Sequence, residues 1–146
     1  MIITSGKIHS AQKCVIYGAE GIGKSTLASK FPSPVFCDTE GSTKQLDVRR
    51  TPKPAKWMDI LEQAMYFINH PDEFGTFVLD TADWAERLCV EHVCEMGMKD
   101  GLESFGYGKG YVYLCEEFGK LLNLLEELVG RGVHAVLTAH AKMRKS

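Results

Sequence analysis

The chain has almost no net charge and no long apolar run, and each absence narrows what it can be. Seventeen lysines and arginines stand against 19 acids, a formal balance of −2, so no globally basic field draws it to nucleic acid and any such contact must come from local patches. No stretch approaches the roughly 18 consecutive apolar residues of a membrane helix. The polar start, residues 1–10, does not read as a signal peptide, so the expected location is the cytoplasm, with no membrane partner. The five cysteines, Cys14, Cys37, Cys89, Cys94 and Cys115, are odd in number and lack paired metal-ligand spacing. Cys89 and Cys94 lie near His92, which invites a metal reading, but all three fall on a helical pattern where small buried thiols are commoner. No internal repeat or low-complexity segment is visible.

What is present is a phosphate-binding loop. Residues Gly18 to Ser25 read GAEGIGKS, the full G-x-x-x-x-G-K-[ST] pattern. It follows an apolar run, Cys14 to Tyr17, and opens a helix-compatible stretch, Lys24 to Phe31, which is the strand, loop and helix context that the motif requires. Glycines at 18, 21 and 23 admit backbone angles closed to residues with a Cβ, so successive amides can ring a phosphate. The candidate nucleotide-binding residues are Gly18, Ala19, Glu20, Gly21, Ile22, Gly23, Lys24, Ser25 and Thr26. Lys24 at the first helical turn would reach the β- and γ-phosphates, where the helix N-terminus adds partial positive charge. Ser25 would hold Mg²⁺ through its hydroxyl. The ligand implied is ATP or GTP.

At 146 residues and 45% apolar, the chain is long enough for one domain with a core and too short for a second. Strand and helix signals alternate along it, the pattern of a parallel α/β sheet wrapped by helices. The expected strands are Cys14 to Tyr17, Val35 to Cys37, Thr76 to Leu79 ending in Asp80, and Val133 to Thr138 followed by His140. Helical periodicity covers Trp57 to Asn69, with a stripe of Trp57, Ile60, Leu61, Ala64, Phe67 and Ile68, then Trp84 to Met96 and Tyr113 to Val129. A basic, proline-containing loop spans Arg49 to Lys56, and a glycine-rich loop separates the last two helices.

Ligands of open α/β sheets sit at the carboxyl ends of strands, so three strand tips are candidates. Asp80, after four strand residues, fits a carboxylate that holds Mg²⁺ or its waters opposite Ser25; the plain alternative is an Asp that caps a turn. Thr81 and Asp83 can assist it or simply cap the next helix. Glu40, in the tip Asp38-Thr39-Glu40-Gly41, can polarise the water that attacks the γ-phosphate, with Asp38 as the alternate base. His140 can sense the γ-phosphate and pass its loss to residues 141–146. Lys24, Glu40 and His140 are thus the candidate catalytic set.

Five segments, GAEGIGKST at 18–26, FCDTEGS at 36–42, FVLDTADWAE at 77–86, FGYGKGY at 105–111 and VLTAHAKMRK at 136–145, together resemble the RecA-like ATPase core. They resemble more closely the phage nucleotide-binding proteins of the Sak-type single-strand annealing family. The resemblance covers nearly the whole chain. It implies a three-layer P-loop NTPase with a mainly parallel sheet in the strand order 1-4-3-2, His140 lying between the phosphate loop and Asp80. It implies that Glu40, two residues past an aspartate, is the catalytic base. The polar residue at the fourth strand tip is usually glutamine in that family and is His140 here. Further strands beyond strand one belong to the family pattern, so the chain reads as a single domain, 1–146, short at its C-terminus, with Cys14 to Tyr17 an exposed apolar edge.

The implied activity is ATP hydrolysis with Mg²⁺ in phage-type DNA recombination or annealing, in the bacterial host cytoplasm. The implied partners are single-stranded DNA, further copies of the chain and a single-strand-binding protein. Phe105, Tyr107, Lys109 and Tyr111 interleave aromatics, glycines and a lysine, which suits base stacking with phosphate contact on a mobile loop and equally suits a glycine-rich turn with its aromatics folded onto the core. Lys142 and Arg144 in the tail are further DNA candidates. The cluster Arg49, Arg50, Lys53 and Lys56 is a weaker one, more often a solvated loop. Rival readings are a nucleotide-dependent binding module without turnover and a small-molecule P-loop kinase, which would need an arginine-bearing lid. A GTPase is disfavoured because no N-K-x-D motif occurs.

Overall fold

A computed structural model describes residues 1–7, 10–19 and 21–141 of the chain. Glu20, Lys142 and Arg144, named above as ligand contacts, lie outside the described residues. Five strands form one sheet: β1 (Lys13–Gly18), β2 (Pro34–Asp38), β3 (Arg49–Arg50), β4 (Thr76–Asp80) and β5 (His134–His140). The helices are α1 (Lys24–Ala28), α2 (Trp57–Asn69), α3 (Ala82–Met96) and α4 (Lys109–Gly130), with short 3₁₀ turns at Pro71–Glu73 and Leu102–Phe105. Among the described residues no helix is long and apolar enough to cross a membrane.

The sheet order is β1-β5-β4-β2-β3 and every pairing is parallel. For the four strands read from the sequence this is the expected order 1-4-3-2. β3 was not expected. The first two residues of the basic loop, Arg49 and Arg50, pair with Val35 and Phe36 of β2 and extend the sheet by one short strand.

Period-two alternation explains how the sheet takes helices on both faces. Val35 and Cys37 of β2, Phe77 and Leu79 of β4, and Ala135 and Leu137 of β5 join α2, α3 and α4 in the larger core. Their in-between neighbours Phe36, Val78 and Val136 meet Ala28 of α1 in a cluster of four. β4, central in the sheet, is buried at all five positions. β1 is an edge strand among the described elements, and Val15 and Tyr17 on it are 61% and 63% exposed.

Most boundaries shift by a residue or two, and three of the differences bear on the candidate sites. α1 ends at Ala28, short of Phe31, because the Ser29 hydroxyl turns back to the Thr26 carbonyl at 2.5 Å and Pro32 and Pro34 follow closely. β5 extends to include His140. α4 begins at Lys109, four residues before Tyr113, so the segment 105–111 is only partly loop. Gly108 precedes the helix with φ 72°, a left-handed conformation that glycine adopts without penalty. Gly110 is no hinge: a Cβ there would lie 2.1 Å from the Leu102 carbonyl oxygen.

Candidate functional site

The strand register sets the polar tips side by side. Gly18 stands opposite His140, Thr138 opposite Asp80, and Asp80 opposite Asp38, so β1, β5, β4 and β2 deliver them to one end of the sheet. There a cleft of about 530 Å³ is lined by Gly21, Gly23, Lys24, Ser25, Thr26, Glu40, Asp80 and His140, along with Ser42, Gln45, Leu46 and Thr81. A larger hollow of about 600 Å³ between β3 and α2 is lined by Val35, Tyr66, Phe67 and Phe74 among others. Phosphate chemistry therefore marks the smaller of the two as the nucleotide site.

Gly21 and Gly23 of the phosphate loop have φ of 83° and 90°, the left-handed turns that let amides point inward. Gly18 takes no such turn; it ends β1, and the tip of the exposed Ile22 side chain lies over it. Lys24, 8% exposed, donates through Nζ to the Gly18 and Ala19 carbonyls at 2.9 Å each and stands 3.5 Å from His140 Nδ1.

Asp80 is 2% exposed, and two hydroxyls donate to its carboxylate: Ser25 Oγ to Oδ2 at 2.5 Å and Thr138 Oγ1 to Oδ1 at 2.7 Å. The carboxylate and the Ser25 hydroxyl are thus already side by side, the pair of oxygen donors that a hard divalent cation takes. Among the described residues no group of three or more His, Cys, Asp or Glu side chains is arranged to hold a metal. One carboxylate and one hydroxyl fit Mg²⁺, which keeps several waters and takes other oxygens from substrate phosphates.

Glu40 sits across the cleft. Its Oε2 accepts from the Thr81 hydroxyl at 2.9 Å and lies 3.6 Å from His140 Nε2, with both side chains about one third exposed. Asp38 cannot serve as the alternate base. It is 5% exposed and accepts the amides of Gly41, Ser42 and Thr43 and the Thr43 hydroxyl. Burial alone would raise its pKa, but those donors outweigh it and hold the carboxyl below its ordinary value. Its task is to close the turn that presents Glu40.

Sequence reading missed Thr138, Ser42, Gln45 and Leu46. Only Thr138 left a signal, a hydroxyl in an otherwise apolar strand, which when buried must find a partner.

Of the nucleic-acid candidates among the described residues, none of Phe105, Tyr107, Lys109 and Tyr111 lines this cleft. Phe105 is half-buried against the core, 5.3 Å edge-to-face from Tyr113 and tight against Gly97, so it does not offer a free stacking face. Tyr107 is fully exposed with φ 52°, and Tyr111 is half-exposed. Arg50 is spent on the carbonyls of Thr43, Leu46 and Val48 and the Thr43 hydroxyl, and Arg49 on Ser33. Both bind their own chain. Burial pushes the Cys37 and Cys89 thiols up to about 12, so neither is a nucleophile at neutral pH, and Cys94 is likewise buried in the fold.

Comparison with known proteins adds a family. A family model described as AAA domain matches residues 10–146. No protein of curated function matches. Among solved structures, the assembled ATPase EscN of the enteropathogenic E. coli type III secretion system, in complex with its central stalk EscO, is similar over 92% of this chain. Its TM-score is 0.58 at 15% identity. This chain spans 38% of that one's length, and the likeness concerns the fold alone. The KaiC-like protein PH0186 of Pyrococcus horikoshii OT3 overlaps 90% of this chain and 62% of its own, with a TM-score of 0.49 at 14% identity. The fold is that of the RecA-like P-loop ATPases.

Proposed function

The chain belongs to the AAA domain family, an ATPase domain by that membership, and from this premise we propose that its cleft hydrolyses ATP with Glu40 as general base, in the service of single-stranded DNA recombination or annealing. The observation that carries the catalytic part is the meeting of Lys24, Ser25, Asp80, Glu40 and His140, from α1, β4, the loop after β2 and β5, around one cleft. In this reading the amides of the phosphate loop and Lys24 hold the phosphates, and Ser25 and Asp80 hold Mg²⁺. The cation supplies charge neutralisation of the phosphate oxygens when bound. Glu40 takes a proton from the attacking water, and its carboxylate needs to come within about 3.2 Å of that water. His140, 3.5 Å from Lys24 Nζ and 3.6 Å from Glu40 Oε2, senses the terminal phosphate in this reading.

The DNA part of the proposal, including the Sak-type kinship, rests on the segments quoted for that family and on the exposure of Tyr107, Lys109 and Tyr111. Assembly into a homo-oligomer and contact with a single-strand-binding protein belong to the same proposal. Steady-state ATP turnover with and without single-stranded DNA tests both parts. Glu40→Gln keeps ATP binding and stops turnover; unchanged turnover would move the base elsewhere. Stimulation by DNA is expected, and turnover indifferent to DNA would remove the recombination reading and leave the ATPase.

A further inference from the structure

We infer that Thr81 is a positioning residue for hydrolysis, holding the Glu40 carboxylate over the cleft from the N-terminus of α3. The inference rests on Glu40 being the base. Glu40 has a long side chain that is one third exposed, and such a chain samples several rotamers unless something fixes it. The Thr81 hydroxyl supplies the fixing bond, 2.9 Å to Oε2.

Thr81 is itself rigid. It is 3% exposed, its own N–H donates to Thr39 Oγ1 at 2.9 Å, and Thr39 bonds the Asp80 carbonyl through both its N–H, at 2.8 Å, and its hydroxyl, at 3.0 Å. The residue before Glu40 and the residue after Asp80 are thereby strapped together. The Thr81 oxygen also accepts the Trp84 N–H at 3.3 Å as the cap of α3. A hydroxyl has one proton and two lone pairs, so it can cap the helix and still give its proton to Glu40.

Two residues on, Asp83 Oδ2 accepts the backbone N–H of His140 at 2.8 Å. The first turn of α3 therefore bonds both the Glu40 side chain and the backbone that carries His140, which a cap alone would not require.

The rival reading is that Thr81 only caps α3, and three substitutions separate the two roles. Thr81→Ser keeps cap and donor, Thr81→Asp keeps a strong cap and removes the donor, and Thr81→Val removes both. Turnover at saturating ATP and binding of a fluorescent ATP analogue are measured for each, and Thr81→Val is repeated in a Glu40→Gln background under single-turnover conditions. Misplacing a catalytic group by about 1 Å costs on the order of a hundredfold. We therefore expect about ten- to hundredfold slower turnover for the Asp and Val variants, near-native turnover for Ser, little change in nucleotide affinity, and no added loss from Val once Glu40 is Gln.

Native turnover in Thr81→Asp would overturn the inference and leave Thr81 a cap, and so would a loss from Val that persists undiminished in the Glu40→Gln background. Failure of the underlying reading looks different. Glu40→Gln would then itself turn over normally, and both the base assignment and this inference would fall together.

Discussion

On one face of the sheet, α2, α3 and α4 bury Trp57, Phe67, Phe77, Leu121 and Leu125; on the other, the five-residue α1 meets Phe36, Val78 and Val136 and leaves its own Leu27 56% exposed. A helix of five residues has no stability of its own, so α1 is held by the strand and loop it grows from. That thin layer is also the one that carries the phosphate loop. The thick layer supplies most of the apolar burial that holds the fold, and the strand tips above the thin layer supply the chemistry. Segments that rearrange around ligands come from the less stable part of a structure, and here the division follows the two faces.

Under this division, binding and stability are lost separately. The largest effect is expected at Lys24, whose Nζ sits against the Gly18 and Ala19 carbonyls. Lys24→Ala removes a charge-assisted phosphate contact and should weaken ATP binding by about a hundredfold or more, as titration with a fluorescent analogue will show, while the urea midpoint barely moves. A large fall in that midpoint would mean that the thin layer also holds the fold.

Next in size is a contrast between the faces. Leu125, fully buried in the thick layer, should cost about 2–5 kcal/mol when changed to Ala. Leu27→Ala on α1 should stay within about 0.5 kcal/mol, both read from urea unfolding. Equal losses would refute the comparison.

A smaller effect sharpens it at the turn after β2. The Asp38 carboxyl is held below its ordinary pKa in the folded state, so the stability it contributes is full above the unfolded carboxylate value and disappears as pH falls through the depressed one. Asp38→Asn should lose about 1 kcal/mol at neutral pH, with the two unfolding curves converging in acid. Parallel curves across that range would show that the carboxylate is not what closes the turn.

Much of the molecule was legible beforehand for reasons that are local. The phosphate loop is a contiguous pattern whose glycines and lysine are set by backbone geometry, the α2 stripe from Trp57 to Ile68 is a short-range periodicity, and Asp80 announces itself at the end of an apolar strand. At Phe105 and Gly110 the glycines and aromatics read equally as a mobile loop and as a turn folded onto the core. Only the approach of Gly97 and Leu102 from elsewhere in the chain shows that both are packed.

By itself, then, the sequence determined four of the five strands, the three long helices with their apolar faces, and the identity of the ligand-binding loop, since each depends on neighbours a few residues apart. The tertiary structure decided which polar tips meet. The register of β1, β5, β4 and β2 brings Ser25 to Asp80 and Thr81 to Glu40 across separations of 55 and 41 residues. Such pairings depend on how strands far apart in the chain align, and no local pattern of residues records that alignment.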